Sequence, residues 1–182
     1  MGSKIMIAGS GGQGILFLGK IICQAAMLEG KNVTWFPSYG AEMRGGTASC
    51  TVVVSPDMIG SPIVKNPDTM IILNSASLSR YQSRIVDKGY LFYDSSLISN
   101  GFERKDLNVS AVPSSKIAEE LGNPRLSNMV LLGAFTGITN VISADSVRSA
   151  IDLTVPSSRA EIKQKNIDAI ERGLEFVSGQ KG

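Results

Sequence analysis

Histidine is absent from this 182-residue chain. Its absence removes both the commonest general base and the commonest metal ligand, so Ser-His-Asp triads and histidine-rich zinc sites are excluded. Cysteine is scarce, with only Cys23 and Cys50, so one chain cannot supply a four-thiolate iron-sulfur cluster. There is no CxxC: Cys23 falls in an apolar helix-like stretch and Cys50 in a strand-like one. Both read as buried thiols of a reducing compartment, and with no secretory leader before the first strand the expectation is a cytoplasmic protein. Charge of either sign is thin, 18 basic against 16 acidic residues and a net +2, which argues against a nucleic-acid partner. Any anion site must be local. Long hydrophobic runs are missing too: Gly, Gln, Lys or Asn interrupts each well before the roughly 20 apolar residues a membrane span needs.

What is present is 43% hydrophobic residues, enough for a substantial core, with no internal repeat, low-complexity tract or linker. One domain over residues 1–182 is expected. Short apolar runs at Lys4–Ala8, Asn32–Phe36 (closed by Pro37), Thr47–Ser55, Thr69–Leu73, Tyr90–Tyr93 and Asn108–Val112 read as strands, those of the middle of the chain as central and parallel. Helical patterns occupy Ile15–Leu28, Ser77–Asp87, Ser114–Leu121, Ser127 to about Asn140, Ala144 to about Leu153, and a final helix with Ile167, Ile170, Leu174 and Val177 on one face. Ser158 and Glu161 stand at capping-box spacing before that helix. Alternation of strand and helix predicts an α/β fold: an open, mostly parallel, Rossmann-like sheet with helices on both faces, in three layers. Residues 179–182 read as a frayed tail.

Two loops could carry chemistry. Gly9-Ser10-Gly11-Gly12-Gln13-Gly14 fits GxGxxG between a predicted strand and a predicted helix. Gly9 permits the tight turn, Gly11 lets an anion approach the backbone, and Gly14 allows close helix-strand packing, while unpaired amides favour a phosphate. The same residues also suit a turn that binds nothing. A nicotinamide site wants a carboxylate at the end of the second strand, where Phe36-Pro37-Ser38-Tyr39 stands instead, so NAD is disfavoured. The second loop, Ser38-Tyr39-Gly40-Ala41-Glu42-Met43-Arg44-Gly45-Gly46, places a ring, a carboxylate and a guanidinium among glycines. Arg44 could clamp a phosphate or carboxylate bidentately and Glu42 could orient it or meet a partner; a surface Glu42–Arg44 ion pair is the alternative. Candidate ligand-contacting residues are thus Gly9, Gly11, Gly12, Gln13, Gly14, Ser38, Tyr39, Glu42, Arg44, Gly45 and Gly46. No residue is expected to be catalytic or to ligate a metal. Asn74 and Asn128 each suit a helix cap better than a ligand.

GSGGQG, PSYGAEMRGG and ASCTVVVS, followed by SPIVKNPDTMIILN, DSSLI at Asp94–Ile98, NMVLLGA at Asn128–Ala134 and NIDAIERG in the last helix, resemble the gamma subunit of 2-oxoacid:ferredoxin oxidoreductases over almost the whole chain. The resemblance implies a multi-subunit enzyme that decarboxylates a 2-oxoacid oxidatively and passes the acyl group to coenzyme A and electrons to ferredoxin. It implies that thiamine diphosphate, magnesium and the iron-sulfur clusters belong to partners: alpha and beta subunits that bear the thiamine and, where one is present, a ferredoxin-like delta subunit. The gamma chain would be inactive alone and would supply a lid or cleft on the coenzyme A side. The competing readings are a free-standing oxidoreductase using the glycine loop for NAD or a flavin, and an assembly subunit whose loop meets no ligand.

Overall fold

The computed structural model describes residues 2–38, 47–99 and 104–180. In chain order the elements are β1 (Ser3–Ser10), α1 (Ile15–Leu28), β2 (Asn32–Ser38), β3 (Thr47–Ser55), β4 (Thr69–Ile72), α2 (Ser75–Tyr81), β5 (Tyr90–Asp94), β6 (Asn108–Val112), α3 (Ser114–Glu120), α4 (Ser127–Thr139), α5 (Ala144–Thr154) and α6 (Ala160–Ser178). The strands form one sheet in the order β2-β3-β1-β4-β5-β6. β1, β4, β5 and β6 are parallel neighbours, whereas β3 runs antiparallel to both β1 and β2. The sheet is therefore mostly parallel, as expected, with one inserted antiparallel strand.

Alternation along each strand sends side chains to two cores. Ile5, Ile7, Cys50, Val52, Ile71, Phe92 and Val112 face the larger one, built with α1, α4, α5 and α6. Met6, Ala8, Met70, Ile72 and Leu91 face the smaller one, with Leu78 and Tyr81 of α2. Helices thus cover both faces of the sheet. Phe92 and Phe135 meet edge to face, with centroids 5.9 Å apart, joining β5 to α4; such a pair adds about 0.5–1.5 kcal/mol beyond burial. α4 and α6 cross at backbone contact: a Cβ on Gly133 would lie 2.1 Å from the Ile170 carbonyl oxygen, and one on Gly173 2.1 Å from that of Val130.

Several local expectations shift. β2 runs through Pro37 to Ser38, which an edge strand tolerates because its outer side needs no donor. The crossover helix starts earlier and stops sooner than Ser77–Asp87: the Asn74 side chain accepts from Ser77 N at 2.8 Å and caps α2, which tightens to a 3-10 turn at Gln82–Arg84. The Ser158–Glu161 capping box does not form. Ser157–Arg159 is a 3-10 turn, α6 starts at Ala160 without a side-chain cap, and the Glu161 carboxylate pairs one turn on with Lys165 at 2.7 Å. At the other end of α4, Asn140 takes the left-handed conformation (φ 51°) and ends the helix.

Candidate site at the carboxyl edge of the sheet

β1 is where the topology divides. After β1 the chain builds β2 and β3 on one side of it, and later β4, β5 and β6 on the other. Such a switch point leaves a crevice beyond the strand carboxyl ends, and the glycine bend of residues 9–14 sits there.

Each glycine of the bend has its own reason. A Cβ on Gly9 would lie 2.7 Å from Gln13 Oε1 and from Ile15 Cδ1, and 3.0 Å from Leu73 Cβ, so Gly9 allows β1, the bend and β4 to close on one another. Gly12 has φ +92° with nothing within 4 Å of a Cβ, so its requirement is conformational and its outer face is open. Gly14 is left-handed (φ +72°) at the start of α1, and its Cβ would fall 2.2 Å from Asn128 Nδ2. Its close contact is thus with α4 rather than with a strand. Gly11 and Gly12 are exposed.

Three amide side chains hold the bend. Gln13 Oε1 accepts from Ser10 N at 2.6 Å and its Nε2 donates to the Leu73 carbonyl at 3.1 Å. Asn74 Nδ2 donates to Ser10 Oγ at 2.5 Å while its Oδ1 caps α2. Asn128, buried as the second residue of α4, donates to the Gly14 carbonyl at 3.2 Å and accepts from Met129 N at 2.9 Å. Asn128 is therefore a clamp between α4 and the bend rather than a helix cap. The Gln13 amide is engaged inside the bend. Sequence reasoning saw Asn74 and Asn128 as caps because the signal for their second bond is tertiary: Ser10 and Gly14 lie 64 and 114 residues away.

The second candidate loop is reached from the same edge. Ser10 is paired with Thr47 and Ser38 with Ser49, so Ser38 is exposed there, on the far side of β3 from the bend. Tyr39, Glu42, Arg44, Gly45 and Gly46 lie outside the described residues. Arg80 of α2, which the sequence did not single out, donates to Thr47 Oγ1 at 3.0 Å and stacks over Tyr81, 5.4 Å from its ring centroid. It lines a cavity of about 310 Å³ with Phe36, Ser38, Thr51, Tyr81 and Arg84. A larger cavity, about 610 Å³, opens near the opposite edge beside Gly2, Lys4 and Asp68. There the Asp68 carboxylate accepts from Lys4 N and Ser3 Oγ, a structural tie between β1 and β4.

At the end of β5, Asp94 is fully buried and accepts from Ser96 N (3.0 Å), Ser115 N (3.2 Å) and Ser115 Oγ (2.5 Å), stitching that strand to the start of α3. Its lone pairs are taken within the fold. Burial pushes the Cys23 thiol up to about 12; burial does the same to Cys50, also to about 12, and its Sγ meets the Ile15 carbonyl at 3.6 Å. Both thiols are free and buried in the core that α1 shares with the sheet. Among the described residues no group of three His, Cys, Asp or Glu side chains is placed to hold a metal ion, and no helix is long and apolar enough to cross a membrane.

Comparison with known proteins agrees with the resemblance read from the loops. The ketoisovalerate oxidoreductase subunit VorA of Methanothermobacter thermautotrophicus is 38% identical over 176 residues, 96% of this chain but 36% of the relative. The chain therefore spans about a third of that relative's length. The 2-oxoglutarate synthase subunit KorC of Methanocaldococcus jannaschii is 35% identical over 97% of this chain and 95% of its own. Among solved structures, the gamma subunit of a keto/oxoacid ferredoxin oxidoreductase from Geobacter sulfurreducens superposes with a TM-score of 0.86 at 26% identity, covering 96% of this chain and 95% of that one. A 2-oxoglutarate:ferredoxin oxidoreductase from Magnetococcus marinus, solved with 2-oxoglutarate, coenzyme A and succinyl-CoA, shares the fold. Its TM-score is 0.90 at 24% identity, covering 98% of this chain and 31% of that one. With the profile of pyruvate ferredoxin/flavodoxin oxidoreductases matching residues 4–176, the chain belongs to that family.

Proposed function

We propose that this chain is the gamma subunit of a cytoplasmic, multi-subunit 2-oxoacid:ferredoxin oxidoreductase. The whole chain acts as one domain that contributes a cleft or lid on the coenzyme A side of an active site held elsewhere. Alpha and beta partners carry thiamine diphosphate, its magnesium and, with any delta partner, the iron-sulfur clusters; together they convert a 2-oxoacid to its acyl-CoA and reduce ferredoxin. This chain's own part is to bind and orient: Gly11 and Gly12 offer backbone amides at the carboxyl edge, Ser38, Tyr39, Glu42, Arg44, Gly45 and Gly46 are the further residues proposed to contact the ligand, and the amide braces keep the bend from collapsing.

The observation that carries this reading is the bend itself. Gly11 and Gly12 are exposed at the switch point while Gln13, Asn74 and Asn128 pin the residues around them, so an open surface is maintained at the place where an α/β sheet binds ligands. The dinucleotide alternative is weakened by the topology. With β3 inserted, the end of β2 is no longer beside the bend, so even a carboxylate at Ser38 would stand one strand too far for the ribose.

The test is reconstitution. The purified chain, given a 2-oxoacid, coenzyme A, thiamine diphosphate, magnesium and a viologen acceptor, reduces no dye; adding the thiamine-bearing partners with which it co-purifies restores coenzyme A-dependent reduction. Dye reduction by the chain alone contradicts the proposal. So does calorimetric binding of NADH or a flavin.

A further inference from the structure

We infer that Ser10 donates its hydroxyl hydrogen to an anionic oxygen of the substrate pair, and that Asn74 is the positioning residue that aims it. The inference rests on the gamma-subunit reading and assigns a residue that the glycine pattern passes over.

The orientation follows from a chain of forced choices. The backbone N–H of Ser77 can only donate, so the Asn74 atom 2.8 Å from it is the carbonyl oxygen. The other end of Asn74, 2.5 Å from Ser10 Oγ, is therefore the NH2 group, which cannot accept. Ser10 Oγ must then accept from Asn74, and its own hydrogen points elsewhere. Gln13 takes the Ser10 amide hydrogen at 2.6 Å, and Gln13 N donates to the Ser10 carbonyl at 3.2 Å. One group of Ser10 is left, the hydroxyl hydrogen, for which no described residue supplies an acceptor; the residue is half-exposed at the crevice. A donor fixed in this way by a helix-capping asparagine suits a charged oxygen. The two sources present in the proposed reaction are a phosphate of coenzyme A and the carboxylate of the 2-oxoacid.

Replacing one group of Asn74 tests this without disturbing the fold. In Asn74→Asp the carboxylate still caps Ser77 N, but its second oxygen only accepts, so the Ser10 hydrogen turns inward and a negative charge joins the crevice. In the reconstituted complex, Ser10→Ala and Asn74→Asp should raise the KM of one anionic substrate by about ten- to a hundredfold, the loss of one hydrogen bond to a charged group. Ser10→Thr, which keeps the hydroxyl, should stay within threefold of wild type, and kcat should change less than twofold throughout. Titrating coenzyme A and the 2-oxoacid separately identifies which oxygen is held. If neither KM moves in Ser10→Ala or Asn74→Asp, the inference is wrong while the gamma-subunit reading stands. A complex that turns over fully without this chain overturns both.

Discussion

Substituting Gly14 by alanine separates conformational strain from crowding, because Gly12 provides the matched control two residues earlier. Both glycines have positive φ, +72° and +92°, so alanine at either costs about 1–2 kcal/mol in backbone conformation alone. At Gly12 nothing lies within 4 Å of the added Cβ, and the cost ends there. At Gly14 the Cβ lands 2.2 Å from Asn128 Nδ2, so that side chain must leave, breaking its 3.2 Å bond to the Gly14 carbonyl and disturbing its 2.9 Å bond to Met129 N. At about 0.5–1.5 kcal/mol per neutral hydrogen bond, Gly14→Ala should cost about 2–4 kcal/mol in all. In urea unfolding with an m-value of about 2 kcal/mol/M, that lowers the midpoint by about 1–2 M. Repeating both substitutions in an Asn128→Ala background should relieve Gly14→Ala by about 1–2 kcal/mol and leave Gly12→Ala unchanged. Equal costs at the two glycines, or no relief in the Asn128→Ala background, would refute the clamp between α4 and the bend.

Gly133→Ala should destabilise the protein by about 1–3 kcal/mol by overpacking, although alanine is the better helix former by about 1 kcal/mol, since its Cβ would strike the Ile170 carbonyl; a raised thermal midpoint would contradict the close α4–α6 crossing. Glu29 links α1 to α5. Partial desolvation works against its charge, but bonds from Lys31 Nζ (2.6 Å), Ser143 N (2.7 Å) and the Ser143 and Ser146 hydroxyls prevail, lowering its pKa from 4.5 to about 2. A folded-state pKa below the unfolded one means stability that is present above about pH 4.5 and lost as pH falls toward 2. Glu29→Gln should therefore be less stable than wild type at pH 7, with the gap closing between pH 4.5 and 2 in urea titrations; a constant gap refutes the assignment.

Much of this was legible in the chain. The strands are marked by short β-branched runs, and GSGGQG between strand and helix locates the bend. The direction of β3 was not legible. Thr47–Ser55 is apolar enough to read as a buried parallel strand, and only its pairing with both β1 and β2 reveals the hairpin, since an alternating pattern is the same in either direction. Ser158–Glu161 had the right spacing for a capping box, but Glu161 had a competing partner in Lys165. The braces were hidden for a different reason. Gln13 looked like a ligand contact and Asn74 and Asn128 like simple caps, because a polar side chain's second partner is set by tertiary contact and leaves no local trace. Arg80 was missed likewise: it lies on a short, unremarked helix, and only the fold brings it to Thr47 at the carboxyl edge.

The most direct measurement is hydrogen–deuterium exchange of the segment containing residues 9–14 in the assembled complex, with and without coenzyme A. If the bend meets the co-substrate, the amides of Gly11 and Gly12, exposed in the chain, become protected when coenzyme A is added. Exchange that is already slow in the complex and indifferent to coenzyme A would mean that the bend is covered by a partner subunit and takes no part in binding.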